Sequence, residues 1–198
     1  MTTQRLEPRT RLFAGRERPM TADEYERIAP RLDGPSELID GRLRLLWPAS
    51  FAHGEVVYRL GRLTSRWLDS FAPQEEPVKG YGAETGFRLP LPRRPVMAPD
   101  LAFVRRERLP VQEEGFFRGT PDFAAEVRSP GDTLQEPRDK EEAWIAAGVR
   151  LVWSVDPEER TVRVLRPGAP VQTLAGADLL TGEDVLPGWL IMVGELFA

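Results

Sequence analysis

Two carboxylates offer the first handle on chemistry. Asp100 follows Pro99 and leads into "DLAFV", and Glu126 lies near the end of "DFAAEV", an apolar run bounded by Pro121 and by the turn "SPGD". A carboxylate in such a run is costly unless positive charge meets it. The partners within reach are a metal ion, Arg128 or Lys140. One acid from each of two neighbouring strands gives a rigid pair of hard oxygen ligands. Magnesium or manganese takes such ligands while keeping positions for water and phosphate. Arg128, two residues beyond Glu126, would leave the strand on the same face. Lys140 would arrive from the next helix, where it could orient a water or stabilise charge developing on a phosphoryl oxygen. The structural alternative is that strand-end acids cap turns or pair with arginines. The pattern P-D-x(25)-E-x-R/K is loose enough to allow it.

Composition narrows the options. A net charge of −4 argues against a binder that works by overall basicity, although local arginines can still line a phosphate groove. With no cysteine and a single histidine, His53, thiolate sites and multi-histidine zinc sites are excluded, so metal ligands must be mostly oxygens. The opening "MTTQRLEPRTRLFAGRERPM" lacks the apolar stretch of a signal peptide, and no window approaches a membrane span. A cytoplasmic chain is expected, with residues 1–20 as a flexible N-terminal arm and 21–198 as one domain.

The elements that must position these residues follow from local pattern. Thr21 with Glu24 forms a capping box for a short helix ending before Pro30. "SELIDGRLRLLWP" reads as a hairpin about Asp40-Gly41, with Glu37 on its first strand. Val56, Val57, Leu60, Leu63, Trp67, Leu68 and Phe71 recur at the helical period over 50–71, leaving Arg59, Arg62 and Arg66 on the outer face. His53 opens that helix. A histidine there caps or packs more often than it catalyses, and it remains an accessory candidate as general base or DNA contact. Asp132 or Thr133 can cap the helix bearing Lys140, Trp144 and Ile145, which Gly148 ends. "RLVWSVDP" is apolar almost throughout, as a central strand should be, and "EERTVRVLRP" completes a hairpin with it. The sum is an α/β chain with a mixed sheet flanked by helices and one parallel crossover over 122–156. Trp144, Trp153 and Trp189 are assigned to the core, and Ser129, Asp132 and Glu84 to turns.

Several ordered stretches carry a family resemblance: "ETGFRLP", "APDLAFVRRERL", "PDFAAEVRSPGDTL", "DKEEAWIAAGVRLVWSVDPEERTVRVLRPG" and "LTGEDVLPGWLI". They resemble the signatures of the Uma-type (Uma two) family of restriction endonucleases, within the PD-(D/E)XK nuclease superfamily, from about Tyr25 to Phe197. The resemblance implies a restriction-endonuclease-like core and a metal-dependent endonuclease that hydrolyses DNA phosphodiester bonds. By position, Asp100, Glu126 and Lys140 match catalytic residues of that pattern. The resemblance also implies that Asp100, Glu126 and the Val127 backbone carbonyl hold magnesium or manganese. Glu37 matches an acid that reaches the metal directly or through water. The strand lysine of the superfamily is Arg128 here, so either Lys140 takes over its task from the helix or Arg128 clamps a phosphate. Arginine stays charged and cannot serve as a base. DNA is the expected partner, and a homodimer would suit cleavage of both strands.

Two other readings stay open at this point. The fold could persist as a catalytically inactive module that binds DNA or a protein. Alternatively, Glu126 and Arg128 could form an internal ion pair with no metal at all.

Overall fold

The computed structural model describes residues 11–12, 19–46, 48–93, 95–110, 115–129 and 135–198. The Thr21 capping box is formed, with the Thr21 hydroxyl accepting from the Glu24 N–H and Glu24 reaching back to Thr21, and it starts α1 (Ala22–Ile28). Pro30 sits in a single 3-10 turn that ends the element. The chain then makes β2 (Ser36–Ile39) and β3 (Arg42–Leu45), turning at Asp40 and Gly41, both at positive φ, as a two-residue hairpin loop demands. A two-residue strand, β1 (Arg11–Leu12), pairs with the outer side of β3. Most of the expected N-terminal arm lies outside the described residues, as do Asp132 and Thr133.

Ser50 caps α2 (Phe51–Leu68), which buries Val56, Leu60, Leu63 and Trp67, a stripe fixed by their three- and four-residue spacing. β4 (Val78–Gly82), β5 (Phe87–Arg88), β6 (Val96–Met97) and β7 (Leu101–Arg105) follow. Beyond them come β8 (Phe117–Arg118), β9 (Phe123–Val127), α3 (Gln135–Ala146), β10 (Leu151–Asp156) and β11 (Thr161–Leu165). Gly148, at positive φ, lets the chain leave α3. β12 (Gln172–Ala175), β13 (Leu179–Thr181) and β14 (Leu190–Met192) close the chain.

Among the described residues the strands form two six-stranded sheets and one small hairpin, where the sequence suggests one mixed sheet. The larger sheet runs β12-β11-β10-β9-β7-β4, with β9 and β10 parallel through α3 and the other pairs antiparallel. The second runs β1-β3-β2-β6-β5-β8. Alternation along β9 and β10 decides which side chains face which layer. Phe123, Ala125, Val127, Leu151, Trp153 and Val155 pack toward α2 and the C-terminal hairpin. Ala124 and Val152 pack toward Trp144 of α3 and toward Phe87 and Met97 of the second sheet. The central strands are thus buried on both sides, and their nearly unbroken apolar sequence follows from that.

No helix among the described residues is long and apolar enough to cross a membrane.

Candidate active site

The antiparallel register of β7 against β9 places Leu101 opposite Ala125. One step further along both strands stand Asp100 and Glu126. The Val127 N–H donates to Asp100 Oδ2 at 2.7 Å, tying this acid to the end of the neighbouring strand. Glu126 shares the face of Ala124, so its side chain enters the layer occupied by α3.

On α3, Lys140 and Trp144 are four residues apart and therefore share a face. Both meet Glu126: Lys140 Nζ lies 3.1 Å from its Oε2, and Trp144 Nε1 donates to its Oε1 at 2.8 Å. Lys140 Nζ is also 3.1 Å from Oε1 of Glu37, which is buried on β2. That same Oε1 accepts the Ala98 N–H at 3.0 Å, while Glu37 Oε2 is buried with no hydrogen-bond partner among the described residues. Two sheets and one helix thereby bring three acids and one lysine to one place.

The electrostatics of the cluster are unbalanced. Burial is the largest influence on Glu126 and raises its carboxyl. Lys140 and the Trp144 N–H pull it back, Asp100 and Glu37 push it up, and the group ends raised from 4.5 to about 7. Burial alone would lower Lys140, but Glu126, Glu37 and Asp100 outweigh it and raise the ammonium above its ordinary value. Lys140 is therefore a permanent cation at neutral pH, suited to orienting or stabilising charge and unsuited to taking a proton.

His53 reaches the same point from α2. Its backbone N–H is capped by Ser50, and its ring stands with Nε2 3.2 Å from Asp100 Oδ1. The Nδ1 lies 2.9 Å from the Val127 carbonyl and 3.1 Å from Ser129 Oγ. Arg128 lines the same cavity, but its guanidinium is engaged by Asp156 at 2.7 Å and Glu158 at 3.5 Å. Burial raises Asp156, yet the hydrogen bonds from Arg128 and from the backbone N–H groups of Glu159 and Glu158 prevail and hold it below its usual range. Arg128 is bound to that acidic turn, whereas Lys140 contacts Glu126 and Glu37.

The cluster forms the floor of a cavity of about 720 Å³, whose walls include Ser154, Glu136 and Arg44. Ser154 is opposite Glu126 in the parallel β9–β10 register. Glu84 also lines the cavity, from a turn where its φ is positive.

Sequence reasoning places Trp144 in the core and overlooks its role as a donor to Glu126. The available signal was its position four residues after Lys140, together with the need of a buried indole N–H for a partner.

Comparison with known proteins adds the lineage. Residues 22–194 match the model of the Uma2 family, described as "Putative restriction endonuclease". The chain belongs to the Uma2 family. No curated protein matches this Uma2 chain. A solved structure from Anabaena variabilis ATCC 29413, titled "putative nuclease belonging to DUF820", is similar with a TM-score of 0.75 at 20% identity. It covers 90% of the Uma2 chain and 98% of its own, and shares the fold.

As for a metal, no group of three or more His, Cys, Asp or Glu side chains is placed to hold one among the described residues. The donor set is instead two carboxylates, Asp100 and Glu126, with the Val127 carbonyl and the unpartnered Glu37 oxygen nearby. Magnesium commonly accepts one or two protein carboxylates and completes its octahedron with water and substrate phosphate, so this oxygen-only set fits such an ion.

Proposed function

We propose that this Uma2 chain is a magnesium- or manganese-dependent endonuclease that hydrolyses DNA phosphodiester bonds. The observation that carries the reading is the convergence of Asp100, Glu126, Glu37 and Lys140, with Lys140 Nζ 3.1 Å from both Glu126 and Glu37. Asp100, Glu126 and the Val127 carbonyl would hold the cation, with Glu37 reaching it directly or through water. When bound there, the cation supplies charge neutralisation at the phosphoryl oxygens and lowers the pKa of the attacking water.

The protein's own groups supply the rest. Lys140, charged throughout the neutral range, holds the water by donating to it and stabilises negative charge as the oxygen–phosphorus bond forms. As the water oxygen bonds to phosphorus its proton passes to bulk solvent, the bond from phosphorus to the leaving oxygen breaks, and that oxygen takes up a proton from solvent. Glu126 must be ionised to serve as a ligand, so activity should rise as pH passes its raised pKa. In this structure, His53 faces the two oxygens, Asp100 Oδ1 and the Val127 carbonyl, that the cation would use. Its ring is therefore an accessory group that would have to give up these contacts where the two oxygens hold a cation. Arg128, held by Asp156, shapes the rim of the cavity. A homodimer related by a two-fold axis would let two such sites cut both strands, and a cytoplasmic location accords with DNA as substrate.

A second reading draws on the same contacts: Lys140 with Glu126 and Glu37, and His53 with Asp100, give a network that leaves only Glu37 Oε2 without a partner among the described residues, with no metal present. In that case the chain is a catalytically inactive binding module. Supercoiled plasmid separates the two. The nuclease reading expects nicking with magnesium or manganese that stops on chelation and is absent in Asp100→Asn; cleavage by Asp100→Asn at the wild-type rate would refute the site.

A further inference from the structure

Arg44 stands directly across the β2–β3 ladder from Glu37, which places both side chains on one face of the hairpin. Cross-strand arginine and glutamate ordinarily pair. Here Lys140 and the Ala98 N–H both engage Oε1 of Glu37, its Oε2 is left without a partner, and Arg44 makes no ion pair, all among the described residues. Its Nε is buried with no hydrogen-bond partner among the described residues. A guanidinium keeps its charge at every accessible pH, and leaving its donors unmatched is costly.

The location of this unmatched cation is informative. Arg44 lines the cavity above the acid–lysine cluster, and it also lines a second cavity of about 280 Å³ with Ile39, Asp40, Arg42 and Arg93. It is the wall the two cavities share. In the second cavity Arg42 is exposed on β3, and Arg93 adopts a positive φ with Nη1 3.3 Å from the Asp40 carbonyl. Three guanidinium groups against one carboxylate give that cavity a net positive character beside a negative one. A chain of phosphates spaced along a nucleic-acid backbone matches this alternation. One phosphate would meet the cation over Asp100 and Glu126, and the next would meet the arginines.

We propose that Arg44, with Arg42 and Arg93, forms a phosphate subsite for the nucleic-acid backbone next to the cleavage position, and that Arg44 is a substrate-positioning residue. The inference rests on the nuclease reading and deepens it, since it fixes the direction in which the strand leaves the active site: over β3 toward the Asp40-Gly41 turn. With Nε buried, the two Nη groups of Arg44 would donate a pair of hydrogen bonds to one phosphate, which lysine at the same place could not do.

The test is DNA binding rather than cleavage. In the wild-type chain, with calcium, which oxygen ligands also hold, in place of magnesium, anisotropy of a short labelled duplex is followed across a salt series, with Arg44→Gln and Arg44→Lys added. Arg44→Gln is expected to weaken binding about tenfold at low salt and to reduce the slope of log affinity against log salt by about one. The loss should be uniform across DNA sequences, and the melting temperature should not fall. Arg44→Lys should restore the slope and only part of the affinity. If the parent binds and Arg44→Gln matches its affinity and slope, the subsite is overturned while the nuclease reading stands. If the parent binds no DNA at all, the nuclease reading fails and the subsite fails with it.

Discussion

Glu126→Gln should lower metal-dependent cleavage by about a thousandfold, the rate equivalent of the several kcal/mol that a bound Lewis acid contributes. At the same time it should remove a pH dependence of stability. The Glu126 carboxyl is raised from 4.5 to about 7 in the folded chain, first by burial and then by Asp100 and Glu37 against the pull of Lys140 and Trp144. The sign follows from proton binding. Between about pH 4.5 and 7 the folded protein keeps a proton that the unfolded chain has released, so this group's contribution falls as pH rises through that window and levels off above it. Glutamine has no proton to lose and still offers an oxygen to the Trp144 N–H. The melting temperature of Glu126→Gln minus that of wild type should therefore grow from about pH 5 to about pH 8. A difference that stays flat over that range would mean Glu126 titrates in the folded chain as it does in the unfolded one.

Lys140→Ala should be the most destabilising single change in the site. Its ammonium stands against Glu126 and Glu37, and its side chain is only 20% exposed. Removing it leaves two acids in one buried place with no cation, a loss of the kind that costs about 3–5 kcal/mol. For a chain of this size that is a fall in melting temperature of roughly 2–4 °C for each kcal/mol. The Lys140 ammonium is raised above its ordinary value, so its contribution is fully present below that value and is lost only as pH climbs through the raised one. The fall should nevertheless grow as pH rises toward and past about 7, because below that Glu126 holds its proton in the folded chain and removing Lys140 strands less charge. Two additions separate a site from a scaffold. A second change, Glu37→Gln, should recover part of the loss by removing one stranded charge, and manganese should raise the melting temperature of Lys140→Ala more than that of wild type. Lys140→Ala as stable as wild type would break the account of the cluster, and unchanged turnover would shift attention to Arg128.

Long, periodic features of this chain can be read from sequence. The α2 stripe, the Asp40-Gly41 hairpin and the strand–helix–strand run from β9 to β10 each have a pattern that extends over many residues or a turn with a strict φ requirement. The second sheet does not: β5, β6 and β8 are two residues each, too short for any period, and their pairing is set by packing against α1 and α3. The site divides in the same way. Asp100 and Glu126 are visible as acids placed against physics in apolar runs, and Glu37 only through the family resemblance, because the contact between two sheets that buries it leaves no local signal. Lys140 and Arg128 are both in reach of Glu126 by spacing, and the structure distinguishes them through Asp156 and Glu158, which engage Arg128. His53 depends on the angle at which α2 crosses the strand ends, which no local pattern encodes. The lone ring at a helix start therefore gives no hint of its contacts with Asp100 and the Val127 carbonyl.

The central claim is that the two acids at the adjoining ends of β7 and β9 form one metal site. Calorimetric titration of manganese into wild type, Asp100→Asn and Glu126→Gln tests it most directly. Binding to the wild type that is lost in each variant, while both variants remain folded, is the predicted result; no binding to the wild type, or binding that survives in either variant, would contradict it.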